Sequence, residues 1–140
     1  MLKDIPKLEV ENLIIAALKE DFKNPLSGEQ FEDGWGIYLV NLYDQPIEGV
    51  LVSSKGYGNY EGRDVKTSVL RHLIGTIEAH DFAKVEPIMP NVLGLNNEYW
   101  VSFYLNKNLY DKKYIFLPET ILETNFTTIP VLNKRGVMIR

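Results

Sequence analysis

Glu98-Tyr99-Trp100-Val101-Ser102-Phe103-Tyr104-Leu105 and Leu109-Tyr110-Asp111-Lys112-Lys113-Tyr114-Ile115-Phe116-Leu117 flank the short connection Asn106-Lys107-Asn108. Both arms are dense in aromatic and β-branched residues, which suit a pleated, half-buried surface. Asn accepts the left-handed backbone that a tight reversal demands, so the three residues between them read as a turn. In the first arm Tyr99, Val101, Phe103 and Leu105 share one face, and Trp100, Ser102, Tyr104 and Asn106 share the other. The first set is the one expected to face a core. A hairpin with one buried face belongs to a β-sheet protein.

The same rhythm extends outward. Trp35 to Leu42 and Gly49 to Ser54 surround Tyr43-Asp44-Gln45-Pro46, where the Asp side chain and the proline ring favour a turn. Lys55-Gly56-Tyr57-Gly58-Asn59-Tyr60-Glu61-Gly62 holds three glycines in eight residues and reads as a loop. Val65 to Ile74 and Phe82 to Met89 read as strands, with Pro87 implying an edge or a strand end. Leu73 to Asp81 resembles the crossover into the fifth strand of immunoglobulin-like domains. Pro118-Glu119-Thr120-Ile121-Leu122 suggests one helical turn with proline at its start. Ile129 to Leu132 and Val137 to Ile139 are short extended pieces around Asn133-Lys134-Arg135-Gly136. Residues 19–34 are polar and glycine-containing, hence a long connection.

One segment is ambiguous. Val10, Leu13, Ile14, Ala17 and Leu18 form a helical stripe, yet Leu13 to Leu18 is also an unbroken apolar run that suits a strand buried on both faces. The other segments call for a first strand before Trp35, so residues 8–18 are expected to be extended. The expectation is an all-β, immunoglobulin-like β-sandwich of about seven strands with a short C-terminal helical turn, occupying residues 1–140 as a single domain. The alternative is an α+β fold with an N-terminal helix on the sheet.

Composition narrows the function. The chain has 140 residues, 45% hydrophobic, with a formal net charge of −4 and no cysteine. A chain of this size buries roughly two thirds of its unfolded surface, so packing alone can sustain it. Thiol catalysis, disulfides and Cys-ligated zinc are excluded together. No apolar run approaches the ~18 residues of a membrane span. Met1-Leu2-Lys3-Asp4-Ile5-Pro6 lacks the basic-then-apolar order of a signal peptide, so a cytoplasmic location is expected. The negative balance makes nucleic acid an improbable partner, although Lys55, Arg63, Lys66 and Arg71, and again Lys134, Arg135 and Arg140, are loosely grouped.

Candidate chemistry is sparse. The two histidines, His72 and His80, with Glu78 and Asp81 beside them, are weak metal candidates without the spacing of a known ligand motif. Ser27, Ser53, Ser54 and Ser68 offer no Gly-x-Ser-x-Gly elbow. Glu29, Glu32 and Asp33, and separately Glu61 and Asp64, are acids in polar segments, where a solvated surface is the ordinary outcome. The glycine run 56–62 misses the dinucleotide fingerprint by one residue and has no helix after it. It does carry two tyrosines, which bind surfaces at little entropic cost. Lys55, Tyr57, Asn59 and Tyr60 are therefore candidate contact residues. Tyr104 and Tyr114, with Tyr110, are candidates for an exposed tyrosine stripe facing a partner, while Trp35, Trp100 and Phe103 are expected to anchor the core.

Gly49 to Gly58, Lys66 to His72 and Leu95 to Val101 resemble a small family of uncharacterised bacterial single-domain proteins of about this length, some labelled phenylalanyl-tRNA synthetase subunit. The resemblance implies a compact single domain and, through the label, an accessory connection to translation. It implies no catalytic residues. A class II synthetase needs a large catalytic sheet with arginine-bearing motifs, and this chain has only Arg63, Arg71, Arg135 and Arg140. The leading expectation is a non-catalytic binding or scaffolding module without a cofactor, its partner another protein or a second copy in a homodimer. A metal-dependent enzyme using the His72/His80 region and a translation-associated accessory protein are the alternatives.

Overall fold

The structure, a computed structural model, describes residues 9–23, 27–31 and 34–140. Among the described residues twelve strands run in chain order: β1 Leu13–Lys19, β2 Phe22–Lys23, β3 Gln30–Phe31, β4 Trp35–Asn41, β5 Ile47–Tyr60, β6 Arg63–Lys66, β7 Leu70–Ile77, β8 Phe82–Ile88, β9 Asn96–Leu105, β10 Asn108–Phe116, β11 Thr127–Ile129 and β12 Lys134–Ile139. Ten of them form two five-stranded antiparallel sheets. The first has the order β11-β12-β1-β4-β8; the second has β10-β9-β5-β6, with β7 also paired to β5. β2 and β3 form a separate small ribbon within the connection expected at 19–34. The fold is an all-β sandwich.

β1 settles the ambiguous segment as a strand. Leu13, Ile15 and Ala17 enter the core between the sheets, whereas Ile14, Ala16 and Leu18 pack on the other side against Val40 and Ile129. Val131 and Leu132 complete that second cluster, so the chain after β11 covers the outer side of the first sheet. A strand buried on both faces has no reason to alternate, which is why its pattern imitates a helix.

The β9–β10 hairpin follows the alternation. Tyr99, Val101, Phe103 and Leu105 are buried, and Tyr99 meets Phe116 edge-on at 6.2 Å between ring centroids. The reversal itself is tighter than expected. Leu105 pairs directly with Asn108, leaving a two-residue turn in which Asn106 (φ 51°) and Lys107 (φ 66°) are both left-handed.

Four expectations need correction. Residues 55–60 are not loop but the second half of the 14-residue β5, paired with β6 and β9. Gly56 serves close approach there, since a Cβ on it would lie 3.1 Å from Thr67 Cγ2, and Gly58 holds a φ of 156° that side chains rarely adopt. The run Val65–Ile74 is two strands, β6 and β7, separated by Thr67-Ser68-Val69. Pro118-Glu119 makes a simple turn, and the helical turn is a 3-10 segment at Glu123–Asn125. Trp100 is not a core anchor; it is 46% exposed on the outer side of the second sheet, while Trp35 and Phe103 are buried. The crossover expected after Leu73 is present, for β7 lies in the second sheet and β8 in the first.

Candidate functional site

Two places gather polar and aromatic side chains: the outer face of the second sheet, and the gap where β8 of the first sheet faces β5 and β7 of the second.

The outer face is built by cross-strand rows. Leu73 of β7 lies beside Leu51 of β5, which lies beside Ser102 of β9 and then Asp111 of β10. The next row runs Arg71, Ser53, Trp100, Lys113, and Glu48, Tyr104 and Leu109 form another. Leu51, Leu73, Trp100, Tyr104 and Leu109 are all exposed, Leu73 to 78%. Lys113 Nζ stands 4.8 Å from the centre of the Trp100 ring. Beneath one end, Glu98 is nearly buried although it faces outward. Lys55 Nζ lies 3.6 Å from its Oε2, Lys113 Nζ 3.9 Å from its Oε1, and the Tyr57 hydroxyl donates to Oε1 at 3.5 Å. Two cations around one half-desolvated carboxylate hold this end of the face in a fixed arrangement.

The contact candidates divide accordingly. Lys55, Tyr57 and Tyr104 belong to this face. Asn59 caps the β5–β6 turn, its Oδ1 accepting from the Gly62 amide at 3.1 Å. The side chain of Tyr60 lies outside the described residues, as do Glu32 and Asp33. Tyr114 is a correction: it is buried, and its hydroxyl donates to the Leu13 carbonyl at 2.7 Å. It alternates with Lys113, so a stripe containing Tyr104 cannot contain Tyr114. Tyr110 also points inward, stacked 5.4 Å from Phe103.

The weak metal candidates are not brought together. His80 Nε2 is 2.7 Å from Asp44 Oδ1 in an exposed pair, and Asp81 Oδ1 accepts from the Phe82 amide at 2.8 Å. His72 points into the sandwich toward Glu86, 3.8 Å away. Among the described residues no three His, Asp or Glu side chains gather closely enough to hold a metal ion. Of the basic groups near the C-terminus, Arg135 donates to the Phe126 carbonyl at 3.0 Å and Arg140 to Glu11 O and Asn12 Oδ1.

Sequence reading missed Glu86. It sits in β8 opposite Ile37 and, like Ile37, faces inward. Its side chain is 12% exposed. Burial pushes its carboxyl above the ordinary range, while a hydrogen bond from Ser54 and the charge of His72 hold it back. Glu86 Oε1 and His72 Nε2 are both buried without a hydrogen-bond partner. Alternation hid it: Val85 and Glu86 are adjacent yet both turn inward, because the register shift between Ile37 and Tyr38 makes Val85 the extra residue of β8. Among the described residues no helix is long and apolar enough to cross a membrane. Comparison with protein-family models, with curated proteins and with solved structures finds no match for this chain.

Proposed function

We propose that this protein is a non-catalytic binding module that engages a protein partner, in the cytoplasm, through the outer face of its second sheet. The observation that supports this reading is the asymmetry of the sandwich. The outer side of the first sheet is covered by the chain's own Ile129, Val131 and Leu132, whereas the second leaves Leu51, Leu73, Trp100, Tyr104 and Leu109 open to solvent. Contiguous exposed apolar and aromatic side chains rimmed by charge are the composition of an interaction surface. Trp and Tyr set on a sheet lose little rotamer freedom on binding, so they suit hot-spot positions.

The test is paired. Wild type and Trp100→Ala/Tyr104→Ala are used to capture partners from the native cell, with Leu122→Ala as an exposed control elsewhere, and both are sedimented for self-association. The expected result is one partner, or a dimer, retained by wild type and the control and lost in the double variant. Capture that ignores the double substitution, or no association at all, would overturn the reading.

A further inference from the structure

We propose that the gap between β5, the 67–70 connection and the end of β8 is a binding site for a small organic primary amine, whose ammonium head meets Glu86 and whose apolar body lies against Ile88, Met89 and Val92. The site is separate from the outer face, on the opposite side of the same sheet. The cleft measures about 260 Å³ and is lined by Ser54, Thr67, Asn97, Leu70 and Tyr99 besides the residues just named. That is at or below the lower end of ordinary ligand pockets, which sets the occupant at about ten non-hydrogen atoms or fewer.

The head group follows from what is missing around the carboxylate. An inward carboxylate needs a counter-charge or hydrogen-bond donors. Ser54 is one donor, but Oε1, which is closed to solvent, has none, and the facing imidazole nitrogen stands at 3.8 Å, outside hydrogen-bond reach, so an ammonium in the cleft meets Oε1 once the carboxyl group turns toward it. Lys55 borders the cleft, yet its side chain lies on the outer face of the sheet, where its ammonium pairs with Glu98. An ammonium ion supplies both charge and donors; an anion would be repelled, and an alcohol brings no charge. The apolar walls then favour a hydrocarbon body. Gly56 keeps the floor open, since a Cβ there would stand 3.1 Å from the Thr67 methyl and 3.6 Å from Asn97 Oδ1.

The titratable groups facing Glu86 are His72 from β7 and Tyr99 from β9, whose phenol is pushed up by burial and then by the Glu86 charge. Binding needs the ionised Glu86 carboxylate, and burial defers that ionisation to higher pH, so affinity strengthens as pH rises while an alkylamine stays charged.

The experiment is a heteronuclear NMR titration of the intact chain at pH 8 with n-butylamine and benzylamine, against n-butanol and butyrate. Saturable shifts at the Ser54, Thr67 and Asn97 amides and the Met89 methyl are expected with the amines alone. Glu86→Gln should weaken binding at least tenfold, and Gly56→Ala, which leaves the carboxylate in place but fills the floor, should weaken it several-fold. Trp100→Ala should bind amine like wild type, which separates this site from the outer face. No saturation, an equal response to butanol or butyrate, or unchanged affinity in Glu86→Gln would overturn the proposal. If Glu86→Gln loses its near-ultraviolet dichroism, Gly56→Ala decides: unchanged affinity there refutes the site.

Discussion

The Tyr114 hydroxyl donates a 2.7 Å hydrogen bond to the backbone carbonyl of Leu13, joining β10 of the second sheet to β1 of the first across 101 residues of sequence. Both residues are buried, and burial pushes the phenol well above its usual range. Tyr114→Phe keeps the ring and its packing and removes only the bond. Urea unfolding should show a loss of about 1 kcal/mol, the net value of one such hydrogen bond. An unchanged midpoint and slope would mean that the bond contributes nothing to holding the sheets together.

Asn41 ends β4 fully buried. Its amide nitrogen donates to the carbonyls of Gln45, Ile77 and Glu78 at 3.0–3.1 Å, and its Oδ1 accepts from the Tyr43 amide at 2.9 Å. One side chain thereby ties the β4–β5 turn to the end of β7. Asn41→Ala strands these groups without water and should cost about 3 kcal/mol by denaturant titration. Asn41→Asp should be as damaging at pH 7, because an ionised carboxylate offers no donor to three carbonyls. A loss under half that size in Asn41→Ala would show that the carbonyls find other partners.

Two glycines in the strands on either side of β1 should respond unequally to alanine. A Cβ on Gly136 of β12 would stand 2.5 Å from the Ala17 carbonyl oxygen of β1, against backbone that cannot yield. Gly136→Ala should lower stability by about 2 kcal/mol or more and speed amide exchange along β12. At Gly36 the obstacle is the Glu20 carboxylate, the far end of a flexible chain that can swing to solvent. That carboxylate accepts a 2.8 Å bond from Tyr38, whose phenol is pushed up to about 12 by burial and then by Glu20. Gly36→Ala should cost less than about 1 kcal/mol and lower the alkaline ultraviolet titration of Tyr38.

Glu86 sets a pH dependence. Its folded-state pKa is raised, so between the ordinary carboxylate value and that raised value the folded chain holds a proton that the unfolded chain has lost. Stability on this account falls as pH rises through that window. Glu86→Gln removes the charge, and should be more stable than wild type by about 1 kcal/mol at pH 8. The gap should close below pH 4, where both are neutral. Thermal melts of the two proteins across pH 3–8 measure it, and parallel curves would contradict the raised pKa.

The hairpin from Glu98 to Leu117 was legible because its inner face alternates with a solvated one, and Asn at the reversal is local chemistry. The glycine run at 56–62 was not: a glycine that hinges a loop and one that lets Leu95 and Thr67 approach a strand look identical in one dimension. Trp100 misled because its size argues for burial, whereas its phase, one residue out from Tyr99 and Val101, puts it on the surface. Of the side chains on the outer face of the second sheet, composition singled out Lys55, Tyr57 and Tyr104 but not Leu51, Leu73 and Leu109. A leucine announces nothing until its neighbours across the sheet are known.

Local pattern therefore determined the class of this protein. Period-two alternation, turn residues and the absence of cysteine suffice for a sandwich held by packing, because each acts within a few residues. Tertiary structure decided which sheet face stays bare and that Glu86 meets His72. Both depend on pairing between segments far apart in the chain, and a single bulge between Ile37 and Tyr38 shifts the register that turns Glu86 inward.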